Sequence, residues 1–274
     1  MIKFDRVVIS VNDNPLYTNA ARYAVESWHK LFPQVKVCLG LVSRKDDLAD
    51  RMRDLFDEVR VFEPVADIKI ANLAAVARYY LASTYDDDVC MINDIDIMPL
   101  QTEYYMSRLR KRKPGELLVI GRGVRQKHPD KFPAGYLTAE GSVWQKVVNP
   151  HKLKWPKWVR SFVGWEPIDG RENIAKPWNV QKRALFGKLQ RKYFCDESWM
   201  RALIKQSKVE TCEIPLGYKV LVDQVNRRLP LREDQLLQGN FIEAHHLLPV
   251  ERYGGKLRAI CKYLGIEPPE EVVS

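Results

Sequence analysis

No stretch of the 274-residue sequence approaches the ~20 consecutive apolar residues needed to span a bilayer, so a transmembrane helix is excluded. Its five cysteines (Cys38, Cys90, Cys195, Cys212, Cys261) are odd in number, widely spaced and contain no C-x-x-C pair. Neither a disulfide framework nor a structural zinc site fits that pattern, and reduced, buried thiols are expected. Internal repeats and low-complexity tracts are lacking, which argues against a solenoid or a disordered tail. Met1 to Val11 is a charged lead-in to a short β-rich run, without the apolar core of a secretory signal, and a cytoplasmic location is expected.

What is abundant is positive charge, and it is concentrated. Lys and Arg exceed Asp and Glu by nine. Residues Gln145 to Tyr193 hold twelve basic and three acidic residues, which is the whole excess; the remainder balances at 32 of each sign. A net charge of +9 would otherwise suggest nucleic acid. Confined to one segment, it describes a neutral body with a basic appendage. That segment also carries Trp155, Trp158, Trp165 and Trp178 among four prolines. Aromatic faces stack on sugars or bases, and Lys/Arg neutralise phosphate. The competing reading is a satellite core in which the tryptophans anchor a loop.

The first hundred residues alternate short β-rich runs (Arg6–Val11, Val35–Val42, Val59–Phe62, Val89–Ile92) with helical stripes. The first stripe, Tyr17, Ala21, Ala24, Trp28 and Leu31, predicts one helix; Asp47–Phe56 and Ile70–Thr84 predict two more. Such alternation implies right-handed βαβ units and an α/β fold with a mostly parallel sheet flanked by helices. Ligands of such sheets bind beyond the carboxyl ends of the strands. Two polar clusters sit there: Asn12-Asp13-Asn14 after the first strand and Asn93-Asp94-Ile95-Asp96 after the fourth.

In an extended segment Asp94 and Asp96 share a face about 6.5–7 Å apart, where two carboxylates repel by about 2–3 kcal/mol at an effective dielectric near 20. D-x-D is a common tripeptide, often a solvated loop. Here Cys90-Met91-Ile92 precedes it and Ile97-Met98-Pro99-Leu100 follows it, and a divalent cation would offset the repulsion.

The run Val89-Cys90-Met91-Ile92-Asn93-Asp94-Ile95-Asp96-Ile97-Met98-Pro99-Leu100 resembles the D-x-D signature of GT-A-fold nucleotide-sugar glycosyltransferases, nearest the lipopolysaccharide galactosyltransferase and glycogenin group. Further pieces resemble that group in matching order. Val8 to Asn14 is similar to its nucleotide-binding first strand, which implies donor contacts from Val11, Asn12 and Asp13. Arg78 is similar to the arginine of the helix before the D-x-D strand. Pro133-Ala134-Gly135-Tyr136, followed by Trp144, resembles a donor-sugar loop written N-A-G, with Pro133 in place of its asparagine. Cys195-Asp196-Glu197-Ser198-Trp199 resembles an acidic motif near the acceptor, Glu197 standing where glutamine is usual. His245-His246 resembles the terminal histidine of the metal site, and Lys256 a lysine after it, farther along than usual.

The resemblance implies a metal-dependent glycosyltransferase. Residues 1–100 would be the nucleotide-sugar-binding half, and residues 101–274 the donor-sugar and acceptor half of the same domain, including the basic insert 145–193. Asp94 and Asp96 would hold Mn²⁺ or Mg²⁺ with His245 or His246. Adjacent strand residues point to opposite sides, so the two histidines would not share one ion. Lys69, Asn72 and Arg78 lie on one helix and could share part of a face toward diphosphate or sugar; for Lys69 a solvated face serves equally. Asp196 and Glu197 open a helix, where capping and the helix dipole favour acids; the functional alternative is an acceptor base, used if the reaction inverts. Asp86-Asp87-Asp88 reads as a solvated loop. The acceptor, a glycan, lipid-linked group or protein, would be anionic, phosphate-bearing or at a membrane edge. Two rivals are a non-catalytic nucleic-acid binder and a sugar nucleotidylyltransferase; the latter's glycine-rich stretch after the first strand is missing from Val11-Asn12-Asp13-Asn14-Pro15.

Overall fold

The computed structural model describes residues 4–66, 68–122, 135–162, 196–215, 224–226, 228–245 and 247–269. It is an α/β fold. Strands β1 (Arg6–Asn12), β2 (Lys36–Val42), β3 (Glu58–Phe62), β4 (Val89–Ile92), β6 (Leu117–Arg122), β7 (Leu137–Glu140) and β8 (Thr211–Pro215) form one sheet, ordered β3-β2-β1-β4-β7-β6-β8. The pairs β1–β2, β2–β3, β1–β4 and β6–β8 are parallel, and β7 runs antiparallel to both neighbours. A second sheet has the order β5-β10-β9, from β5 (Ile97–Pro99), β9 (Gln224–Asn226) and β10 (Glu243–His245).

Helices cover both faces because the strands are apolar on both sides: Val7, Val8 and Ile9 in β1 are all fully buried. One face packs against α2 (Ala21–Leu31), α3 (Asp46–Arg53) and α5 (Thr102–Leu109). Trp28, Phe4, Phe32 and Tyr105 form an aromatic knot there, with ring centroids 5.2–6.1 Å apart. The other face packs against α4 (Ile70–Ala82), α6 (Gly141–Val148), α7 (Trp155–Phe162) and α8 (Asp196–Ser207). A third cluster joins the second sheet to α9 (Glu233–Leu237) and α10 (Val250–Leu264). None of these helices is long and apolar enough to cross a membrane.

The single helix expected from Tyr17 to Leu31 is two. Asn14 caps a short α1 (Pro15–Thr18) by accepting from Leu16 N at 3.1 Å. Three-residue turns, Ala20 N to Tyr17 O and Tyr23 N to Ala20 O, then separate it from α2. Helix α3 stops at Arg53, where the chain tightens into a Leu55 N to Met52 O turn. Asp86–Asp88 is more than a solvated loop. Asp88 accepts from Arg6 Nε at 2.6 Å, and Arg6 also reaches Glu58 and stacks over the Tyr85 ring. Gly141 begins α6 against this loop; a Cβ there would lie 2.7 Å from Asp86 N.

The strand order places the switch point between β1 and β4: β2 and β3 follow on one side, β7 on the other. The crevice outside the carboxyl ends of these two strands is the ligand position of an open α/β sheet.

Candidate metal centre

Beyond β4 the chain stays paired for one more residue, with Asn93 N donating to Val8 O at 3.1 Å. It then turns, not extended as expected: Asn93 Oδ1 accepts from Asp94 N at 2.7 Å, and Ile97 N bonds Asp94 O at 3.3 Å. The turn is required because β5 leaves the large sheet to pair with β10. The side-chain alternation nevertheless survives, Asn93 and Ile95 being buried while Asp94 and Asp96 face the crevice side as partly exposed groups.

Each acid acquires a partner from a distant segment. Arg78, buried on α4, forms an ion pair with Asp94 through Nη1, which also donates to Asn93 O at 3.2 Å. The antiparallel register His245↔Ile97 sets His245 beside Asp96, with Nε2 at 3.6 Å from Asp96 Oδ1. One ligand atom from each of Asp94, Asp96 and His245 falls within 4.8 Å of the others. Donors on opposite sides of a Mg²⁺- or Mn²⁺-sized ion lie roughly 4.2 Å apart, so these three fit one ion with small side-chain movement. Two carboxylates and an imidazole suit such a cation.

Two further residues complete the wall. Glu243 is 1% exposed and lies across from Gln224 in the parallel β9–β10 pair. Gln224 Nε2 donates to Glu243 Oε1 and lies 3.0 Å from His245 Nδ1, which is itself 3.8 Å from Glu243 Oε1. Burial, reinforced by the nearby Asp94 and Asp96 carboxylates, pushes the Glu243 carboxyl up to about 8. With Glu243 holding its proton at neutral pH, the two aspartates face one arginine and one imidazole, a set that would accept a divalent cation.

The other predicted residues distribute as follows. Val11 is buried in β1; Asn12 accepts from Asn14 N at 3.3 Å; Asp13 pairs with Lys45 Nζ at 3.4 Å, a lysine that nothing local in the sequence singles out. Gly135 sits over the D-x-D turn, where an added Cβ would be 3.9 Å from Asp94 Oδ2. It is held there by Tyr136, which adopts a left-handed φ of 69° and donates its N–H to Ile92 O at 2.8 Å. Lys69, Asn72 and Arg78 differ in setting: Lys69 is the exposed N-cap residue of α4, Asn72 lies in its first turn, and Arg78 is buried at the acids. Lys256, on α10, donates to Leu229 O. Asp196 begins α8 and Glu197 follows, and their side chains lie outside the described residues, as do Ala134 and His246.

Trp155 and Trp158 are core residues. Trp155 packs on Phe62 at 4.5 Å and donates to Glu63 O at 2.9 Å; Trp158 packs on Tyr80 at 5.0 Å and donates to Val148 O. They anchor the start of the basic segment and offer no ring to a sugar. Trp165 and Trp178 lie outside the described residues. Sequence reasoning missed Glu243 and Gln224. The one available signal was an acid inside the apolar run Phe241-Ile242-Glu243-Ala244, two residues before His245.

No protein-family model matches the chain, and no curated protein matches it. Among solved structures it is similar to the galactosyltransferase LgtC in complex with donor and acceptor sugar analogues, at 13% identity and a TM-score of 0.47, over 97% of this chain and 98% of that one. An active-site mutant of LgtC is similar at 14% identity and a TM-score of 0.47, over 88% of this chain and 86% of that one. A 4-diphosphocytidyl-2C-methyl-D-erythritol synthase is similar at 12% and 0.36, over 69% of this chain and 100% of that one. With these three TM-scores below 0.5, the functional reading rests on the chemistry of the site.

Proposed function

We propose that this chain is a divalent-cation-dependent glycosyltransferase of GT-A type that moves a sugar from a nucleoside-diphosphate sugar to an acceptor hydroxyl. The observation that carries the reading is the convergence of Asp94, Asp96 and His245 on one point at the sheet's switch point. Mn²⁺ or Mg²⁺ bound there would supply positive charge to a leaving diphosphate. The chain's own residues do the rest. Arg78 fixes Asp94 and adds a buried cation beside the acids. Asn12, which ends β1, and Asp13 after it would contact the nucleoside. Gly135 keeps space open above the D-x-D turn for a sugar ring. Asp196 or Glu197 would take the acceptor's proton if the reaction inverts. The acceptor is anionic or phosphate-bearing, in keeping with the basic segment 145–193.

The test is thermal unfolding against a panel of nucleotide-sugars and free nucleotides, with and without Mn²⁺. Stabilisation that needs both cation and diphosphate, and disappears in Asp96→Ala, supports the reading. The same response from wild type and Asp96→Ala across the panel would sink it. Stabilisation by nucleoside triphosphates with no response to any nucleotide-sugar would redirect it to nucleotidyl transfer.

A further inference from the structure

We propose that the corner between α6 and α7 is a docking surface for an anionic lipid bilayer. The path of the chain fixes where this corner lies. Because β7 runs antiparallel to β4, α6 starts at the amino-end rim of the sheet, with Gly141 against the Asp86 loop. It returns to the carboxyl-end rim, where Trp155, opening α7, donates to Glu63 O just beyond β3. The corner therefore lies on the same rim of the sheet as the crevice of Asp94 and Asp96.

The corner is held in one shape and carries charge of one sign. Asn149 clamps its turn, Oδ1 accepting from Leu153 N at 2.8 Å and Nδ2 donating to Leu153 O at 3.0 Å. Trp144, Trp155 and Trp158 are buried beneath it. From Gly141 to Phe162 the sequence has four lysines and one arginine and no Asp or Glu. Lys146, Lys152, Lys154 and Lys157 are all exposed, as are His151 and two prolines. Lys152 also holds a left-handed φ of 51°, which glycine or asparagine would adopt at lower cost. Glu63, the acid brought nearest by the Trp155 contact, has its carboxylate 3.9 Å from Arg44. Like charges gathered on a fixed scaffold repel one another, and an anionic partner offsets that cost.

A bilayer suits this surface better than nucleic acid or a single phosphate. Single-stranded nucleic acid calls for exposed rings on which bases stack, and the three tryptophans are buried. A single phosphate calls for donors converging on one point, whereas these lysines are strung along the corner from Lys146 to Lys157. An anionic bilayer asks only for clustered cations, each worth about fivefold in partitioning. Docked there, the crevice lies beside an acceptor carried on a lipid. That consequence rests on the glycosyltransferase reading; the docking itself does not.

The experiment is flotation of the full chain, without nucleotide or divalent cation, with vesicles of phosphatidylcholine alone or mixed with phosphatidylglycerol. Binding is expected only to the mixed vesicles, and salt should release it. Lys152→Gln, Lys154→Gln and Lys157→Gln together should weaken it by about 100-fold, and the same three changes to Glu should abolish it. If the Glu set does not fold, the Gln set carries the test. A control set on the opposite rim, Lys36→Glu, Lys111→Glu and Lys113→Glu, alters net charge as much as the Glu set and should float like wild type. Equal loss in the control set overturns the proposal, because net charge alone would then be responsible. So does equal binding to phosphatidylcholine, or no vesicle binding by wild type. Tighter binding to duplex DNA or RNA than to vesicles, lost in the Gln set, overturns it in favour of a nucleic-acid surface. Asp96→Ala should float like wild type, so failure of the cation-site reading would leave the docking result standing.

Discussion

Replacing Asp96 by asparagine should raise the thermal stability of the cation-free protein while abolishing its stabilisation by Mn²⁺. The Asp96 side chain is only 9% exposed, and its ligand oxygen lies within 4.8 Å of that of Asp94. Two unit charges at that separation repel by about 3.5 kcal/mol at an effective dielectric near 20. Arg78 answers part of the Asp94 charge, and Asp94 is 34% exposed, so about 1–2 kcal/mol remains to be relieved. The comparison belongs at pH 7 or just below, where Glu243, its carboxyl pushed up to about 8, holds its proton and adds no charge of its own. For a chain of this size 1 kcal/mol corresponds to roughly 2–4 °C, giving an expected rise of about 2–8 °C in Tm. In wild type, Mn²⁺ at a hundred times its Kd adds about 2.7 kcal/mol, and in Asp96→Asn it should add almost nothing. Calorimetry with and without Mn²⁺ reads both effects. A lower Tm for the cation-free variant, with the Mn²⁺ response intact, would refute the electrostatic reasoning.

Arg78→Met should act with the opposite sign, lowering cation-free stability by about 2–4 kcal/mol by stripping the acids of their buried counter-ion, with part of the loss restored by Mn²⁺; urea unfolding with and without the ion checks this. Gly141→Ala drives a methyl group into the Asp86 backbone and should cost about 1–3 kcal/mol in the same assay. Glu140 is half-buried, which opposes its ionisation, but the hydrogen bond from Arg112 Nη1 at 2.7 Å outweighs that and holds its pKa below the ordinary carboxylate value. Its stabilisation is therefore present above the ordinary range and lost as pH falls through the depressed value. Glu140→Gln should be about 2–3 kcal/mol less stable at neutral pH, and its stability should decline less than that of wild type between about pH 5 and pH 3.

The α/β character, the four leading strands and the D-x-D cluster at a strand end were legible in residue order, because apolar runs, side-chain period and turn chemistry are short-range. The same locality misled at one place and left another open. The Tyr17–Leu31 stripe reads as one helix because its apolar spacing continues through the Asn19-Ala20 break. The tryptophans among lysines fit a sugar platform or a satellite core equally, and Phe62 and Tyr80, from another part of the chain, claim Trp155 and Trp158 for the core.

Residue order alone names the side chains able to bear the chemistry: two carboxylates two residues apart, an arginine on the preceding helix, and a histidine pair late in the chain. Folding is what puts His245 beside Asp96, buries Arg78 against Asp94, and sets Glu243 and Gln224 behind the histidine. Those placements follow from the pairing of β5 with β10 and of β10 with β9. A register between strands distant in the chain is chosen by packing and ladder hydrogen bonds, and leaves no periodic mark in any one segment.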